Sequence, residues 1–201
     1  MKNLKSKSRS SSIKRKTRET DISLSLKLDG TGQYTVSTGV PFLDHMLELF
    51  SKHSLIDLSL RAKGDLPVDY HHTVEDIGLT LGNALNEALG DRKGIRRYGF
   101  FMLPMDESLC HVALDLGGRP FLKYQVACNK PKIRDFDVKL FEEFFRGFMT
   151  QARMNLHIAH LYGDDAHHTY ESIFKGLARA LRTAIEIDPR EKGIPSSKGK
   201  I

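Results

Sequence analysis

His71-His72-Thr73-Val74-Glu75 recurs 96 residues later as His167-His168-Thr169-Tyr170-Glu171. Four of the nine histidines stand in these two doublets, each with a glutamate at the same offset. Imidazole nitrogens and carboxylate oxygens are ordinary ligands of first-row transition metals. The aligned repetition favours metal over a chance pair of surface histidines. Apolar residues recur at helical spacing after both strings: Ile77, Leu81, Ala84, Leu85 and Ala88, then Ile173, Leu177, Ala180, Leu181 and Ile185. Both segments therefore read as amphipathic helices with the string in the first turn. Successive helix residues lie about 100° apart, so the two histidines of a doublet point in different directions. Each glutamate is i+4 from the first histidine and i+3 from the second and can join either. The simplest arrangement is two metals, each drawing ligands from both repeats. Without sulfur the set suits Mn, Fe, Co, Ni or Zn and disfavours Cu(I) or an iron–sulfur cluster.

Working outward, each helix closes a similar series of elements. In the first half, Ile22, Leu24, Leu26 and Leu28 alternate with polar residues as a strand, and Asp29-Gly30-Thr31-Gly32 turns into a second one through Tyr34 and Val36. Pro41 opens a helix through Phe42, His45, Met46, Leu49 and Phe50, and Ile56 to Ala62 alternates as a third strand. In the second half, Leu109–Asp115 and Phe121–Val126 read as strands around Gly117-Gly118-Arg119-Pro120. A helix through Phe141, Phe144, Phe145 and Phe148 follows, then a strand from Met154 to Leu161. The expected fold is α+β: two tandem β-β-α-β-α half-domains, residues 17–94 and 95–193, from internal duplication, with mainly antiparallel sheets and helices on one face. The pairing of halves sets His45 against Glu143. Both types bind metal, although a core histidine and a solvated helix carboxylate are the plainer readings.

The net charge of +6 resides in the N-terminus. Residues 1–16 hold seven basic residues and no acid, leaving 24 basic against 25 acidic residues in the body. This Ser-rich segment reads as a disordered basic tail rather than a nucleic-acid-binding arm. Residues 194–201, rich in Ser, Lys and Gly, read as a flexible tail that substrate would order. Cys110 and Cys128 have no paired spacing, so a reducing, cytoplasmic setting is expected. No apolar run reaches the roughly 18 residues of a membrane span, and neither membrane nor nucleic acid is an expected partner.

Longer strings carry a resemblance. Thr38-Gly39-Val40-Pro41-Phe42-Leu43-Asp44-His45-Met46-Leu47, His71 to Asp76, Pro104-Met105-Asp106-Glu107, His167 to Lys175 and Pro195-Ser196-Ser197-Lys198-Gly199 resemble the imidazoleglycerol-phosphate dehydratase family, over residues 17 to 199. The resemblance implies a hydro-lyase of histidine biosynthesis that converts imidazole glycerol phosphate to imidazole acetol phosphate and water. It implies two Mn ions per active site, built at contacts between subunits of a 24-subunit homo-oligomer assembled from trimers. It implies His45, His71, His72, Glu75, His167, His168 and Glu171 as metal ligands. A further ligand position falls on Glu143, where this chain has Glu-Glu-Phe-Phe and some members of the family have Glu-His-Phe-Phe. Arg97, Arg119, Lys175, Ser196 and Lys198 match positions that hold the phosphorylated imidazole substrate.

The chemistry asks for such parts. The proton to be removed sits beside an imidazole ring and is not acidic alone; a metal on a ring nitrogen acts as a Lewis acid. A carboxylate must move protons, and such general acid–base catalysis contributes typically about 10²–10⁴-fold. Glu19, which matches a substrate-contacting glutamate, is the first candidate, with Glu75 and Glu171 as others. Arginine grips phosphate through two parallel bonds and lysine as a point charge. A dimetal phosphatase or hydrolase is the competing enzyme reading, and a metal store the competing non-enzyme one.

Overall fold

In a computed structural model, residues 8–128 and 130–201 are described. The first half runs β1 (Ser10–Lys16), β2 (Thr20–Lys27), β3 (Tyr34–Ser37), α1 (Pro41–Ser54), β4 (Asp57–Gly64) and α2 (His71–Leu89). The second half runs β5 (Tyr98–Met105), β6 (Ser108–Asp115), β7 (Phe121–Gln125), a small hairpin of β8 (Lys132–Ile133) and β9 (Phe136–Asp137), α3 (Leu140–Ala152), β10 (Asn155–Tyr162) and α4 (Ala166–Ile185). The two sheets have matching orders, β1-β2-β4-β3 and β5-β6-β10-β7. In each, the last edge strand runs parallel to its neighbour and the other pairs are antiparallel. The α+β class and the duplication stand, with each half extended to β-β-β-α-β-α by a leading edge strand.

That extension corrects one expectation. Residues 10–16 are not a disordered tail: they form β1, with Ile13 opposite Leu24 and Arg15 opposite Ile22. On the inner face of β1, Ile13 packs against the core and polar contacts hold the residues on either side of it. Ser11 Oγ donates to Ala84 O at 2.8 Å, and Arg15 Nη2 donates to Asp76 Oδ1 at 2.7 Å. Residues 1–7 of the expected tail lie outside the described residues.

Register puts Leu24 beside Leu60 and Leu26 beside Leu58 in one sheet, and Val112 beside Ile158 and Leu114 beside Leu156 in the other. These columns are buried because alternate residues of a strand share a face. The helices cover both columns and pack on each other, α2 on α3 and α1 on α4. Phe50, Phe141, Phe144, Phe145, Phe148 and Phe174 fill the space between. This crossing brings α1 of one half against α4 of the other, which positions the site described next.

Candidate metal centre and substrate cleft

The first turn of α4 is set by Asp165, whose Oδ1 accepts from His167 N at 2.8 Å and His168 N at 3.1 Å. A carboxylate at this place satisfies orphan N–H groups and complements the helix dipole. In α2 the corresponding bond runs from His71 N to Asp69 Oδ1 at 2.8 Å. Both doublets splay as helix geometry requires: the ring planes of His71 and His72 meet at 88° and those of His167 and His168 at 87°.

His45 on α1 meets His167 and Glu171 on α4. His45 Nε2 lies 2.8 Å and His167 Nε2 3.0 Å from Glu171 Oε1. These three residues offer ligand atoms within 4.8 Å of one another, and among the described residues they form the one such group. Two imidazole nitrogens and a carboxylate oxygen, taken from both halves, match the donor set and the sharing that the sequence suggests. Glu171 is buried, which by itself would raise its pKa. Hydrogen bonds from Lys175, His45 and His167 outweigh burial and bring it down to about 2. Lys175, one turn further on, is ion-paired with the other carboxylate oxygen and reaches Met105 Sδ at 3.5 Å.

The remaining donors stay more open. His71 Nε2 and Glu75 Oε2 are 3.5 Å apart, and both side chains are nearly half-exposed. Glu143 on α3 carries an ion pair to Arg146 at 3.7 Å and does not close with His71 and Glu75 as His45 closes with the other pair. His72 Nδ1 lies 3.0 Å from Asp65 Oδ2, and its Nε2 lies 3.8 Å from Glu19 Oε1. His168 Nδ1 lies 2.8 Å from Glu107 Oε2, and its Nε2 lies 3.8 Å from Asp106 Oδ2. The His168 contact and backbone N–H bonds hold the Glu107 carboxyl down to about 2.

At the far end of the second sheet, Arg97, Arg119, Ser196 and Lys198 line one cleft of about 760 Å³, together with Arg96, Arg153 and Lys200. Arg97 is fixed by two bonds to Asp115, at 2.6 and 3.0 Å. Its Nη1 donates to Pro195 O at 2.8 Å, which fastens the C-terminal segment beside the cleft. Glu191 is the acidic residue among the cleft's lining, so the cleft suits an anion. Lys175 is placed elsewhere, on Glu171.

The family model for imidazoleglycerol-phosphate dehydratase matches residues 38–181. The chain belongs to this family. Dehydratases named for the same reaction in Methylorubrum extorquens and Geobacter metallireducens are 54% and 53% identical over 194 residues, covering 96% of this chain and all of each relative. The crystal structure of the dehydratase from Staphylococcus aureus subsp. aureus N315 superposes with a TM-score of 0.81 at 38% identity, over 89% of this chain and 99% of that one. The dehydratase from Pyrococcus furiosus, solved in complex with (S)-C348, superposes with a TM-score of 0.82 at 36% identity, over 94% and 100%.

As a member of the imidazoleglycerol-phosphate dehydratase family the chain is a hydro-lyase. Sequence reasoning gave no role to Asp65, Asp165 or Glu107, all of which touch the doublets. One signal for Glu107 was available: it immediately precedes β6, as Glu19 immediately precedes β2.

Proposed function

We propose that the protein dehydrates imidazole glycerol phosphate to imidazole acetol phosphate and water, in a metal-dependent reaction of histidine biosynthesis. The observation that carries the reading is the convergence of His45, His167 and Glu171 from opposite halves, in a chain that also presents a cationic cleft. These residues fit a transition metal by donor type and spacing. Two Mn ions per active site are proposed, one on this group and one on His71, Glu75 and Glu143, with His72 and His168 completing the two sets. When bound, the metal supplies a Lewis acid to the substrate's ring nitrogen.

The chain's own groups do the rest. Arg97, Arg119, Ser196 and Lys198 hold the phosphate, with Arg97 preset by Asp115. Glu19, half-exposed on the β1–β2 turn and 3.8 Å from His72 Nε2, moves the proton. Glu75 and Glu171 serve as metal ligands and as secondary proton carriers. A homo-oligomer with shared active sites, of 24 subunits, is part of the proposal. It is supported by the open state of His71, Glu75 and Glu143 within one chain, and by Lys175 lying apart from its cleft. A cytoplasmic setting accords with this chemistry.

The test is an assay of imidazole glycerol phosphate turnover that follows dehydration and inorganic phosphate release separately, with and without Mn after exhaustive chelation. Dehydration restored by Mn, without phosphate release, is expected. Full dehydration by the chelated protein, or phosphate release in its place, rejects the reading.

A further inference from the structure

The two hairpin carboxylates Glu19 and Glu107 hold equivalent places in the duplicated fold, yet their contacts differ. Glu107 Oε2 faces Nδ1 of His168 at 2.8 Å, and its Oε1 accepts from Asp165 N at 3.0 Å. Both oxygens are thus committed, one to the ring and one to the backbone that starts α4. In the first half the Nδ1 contact is made from another element: Asp65, just beyond β4, takes Nδ1 of His72 at 3.0 Å. Glu19 is left with its nearest ring contact at 3.8 Å, on Nε2.

A carboxylate can only accept, so a neutral imidazole facing it must carry its proton on Nδ1. Its Nε2 then has a free lone pair. Such outer contacts fix the tautomer and ring orientation of metal-binding histidines.

We propose that Glu107 and Asp65 are positioning residues that lock His168 and His72 in the tautomer with Nε2 available to a metal, and that Asp65, by taking this duty in the first half, leaves Glu19 free for the substrate. The proposal rests on the metal-dependent reading above. It makes the doublets asymmetric by design: one hairpin glutamate orients a ligand, and its counterpart faces the reaction.

Glu107→Gln gives an unusual signature. The Asp165 N–H holds the amide oxygen, so the amide NH₂ must turn towards His168 Nδ1. That donor stabilises the opposite tautomer, with the proton on Nε2 and no lone pair for a metal. Glu107→Ala leaves Nδ1 to water and both tautomers accessible. The near-isosteric glutamine is therefore expected to be the worse substitution. Asp65 has no backbone N–H to dictate the orientation of an amide: its other oxygen is buried without a partner. Asp65→Asn should be milder than Glu107→Gln.

The measurement is Mn binding to the whole protein, followed by the electron paramagnetic resonance of free Mn, with thermal unfolding of the metal-free proteins as the folding control. Glu107→Gln is expected to weaken one class of site by about 10–100-fold, more than Glu107→Ala does, with the metal-free melting temperature retained. Wild-type affinity in Glu107→Gln, or affinity no lower than that of Glu107→Ala, overturns the positioning role alone. An unsubstituted protein that binds no Mn overturns the metal-dependent reading as well.

Discussion

Gly82→Ala tests the crossing that aligns the two halves. In α2, a Cβ at Gly82 would lie 2.3 Å from the carbonyl oxygen of Phe148 and 3.0 Å from Ala152 N, both backbone atoms of α3. Gly78 makes the same approach to Phe144 O, at 2.4 Å. Ordinary contact begins near 3.4 Å, so the helices must part by about 1 Å. Overpacking of this kind costs about 1–3 kcal/mol. Alanine returns roughly 1 kcal/mol of helix propensity over glycine. With backbone on the far side of the clash the upper end applies, leaving a net loss of about 1–2 kcal/mol. For a chain of this length that lowers the melting temperature by roughly 2–8 °C. Activity should fall further than stability, because α2 carries His71 and Glu75 while α3 carries Glu143, and a displacement of about 1 Å can cost on the order of 10²-fold. The assay is thermal unfolding of the chelated protein beside Mn-activated turnover, with Asn83→Ala as the control on the same helix. A melting temperature equal to or above that of the unsubstituted protein would show that the helices are not in close contact and would refute the reasoning.

Other outcomes follow from the ends of the fold. Deletion of residues 194–201 removes Ser196 and Lys198 from the cleft and Pro195 O from Arg97; KM should rise by roughly 10–100-fold, as loss of charge-assisted bonds worth about 1.5–3 kcal/mol implies, while unchanged KM in steady-state kinetics would exclude the segment from binding. Asp57 accepts from Thr31 N at 2.8 Å and Gln33 N at 3.0 Å, and these backbone bonds hold its carboxyl below the ordinary 3.8. A lowered folded value means the ionised form stabilises: the contribution is complete above the ordinary value and is lost as pH falls through the lowered one. The gap in urea midpoint between the unsubstituted protein and Asp57→Ala should therefore narrow as pH drops towards 3 from 7, and a constant gap would count against the bond pattern.

The doublets, the helices they open and the α+β duplication were legible because their signals are local. Apolar residues at helical spacing mark α2 and α4, and strict alternation marks β2 and β4. The two leading edge strands were not. The sequence of β1 shows a single aliphatic residue, Ile13, among serines and basic residues; its inner-facing Arg15 pairs through Nη2 with Asp76, 61 positions away. The β5 sequence, Tyr98-Gly99-Phe100-Phe101-Met102-Leu103-Pro104-Met105, is apolar on both faces, so period two is erased. Its outward residues Phe100 and Met102 stay 71% and 53% exposed in the single chain. At the site, the candidate donor types were readable from the repeated string, but Asp65 and Glu107 acquire meaning only when a strand end and a hairpin turn are folded against the helix start.

Duplication sets the limits of symmetry in this site. Glu143 stands as far before β10 as His45 stands before β4, and α3 lies on α2 as α1 lies on α4. The frame therefore offers two equivalent sets of positions, but the side chains make them unequal. The residue one turn beyond Glu171 is Lys175, which pairs with it; the residue one turn beyond Glu75 is Leu79, which cannot. Conversely, a neutral-capable histidine in one set faces a carboxylate in the other, with Arg146 beside it. The proposed second set of His71, Glu75 and Glu143 thus would hold two carboxylates where the closed set holds one, with Arg146 on α3 rather than a lysine one turn on as their neighbour. Like charges in a shared site resist approach, so the second set, as proposed, would rest open until a cation neutralises it. A cation, with donors from a neighbouring subunit in the oligomer proposed above, is what would complete it.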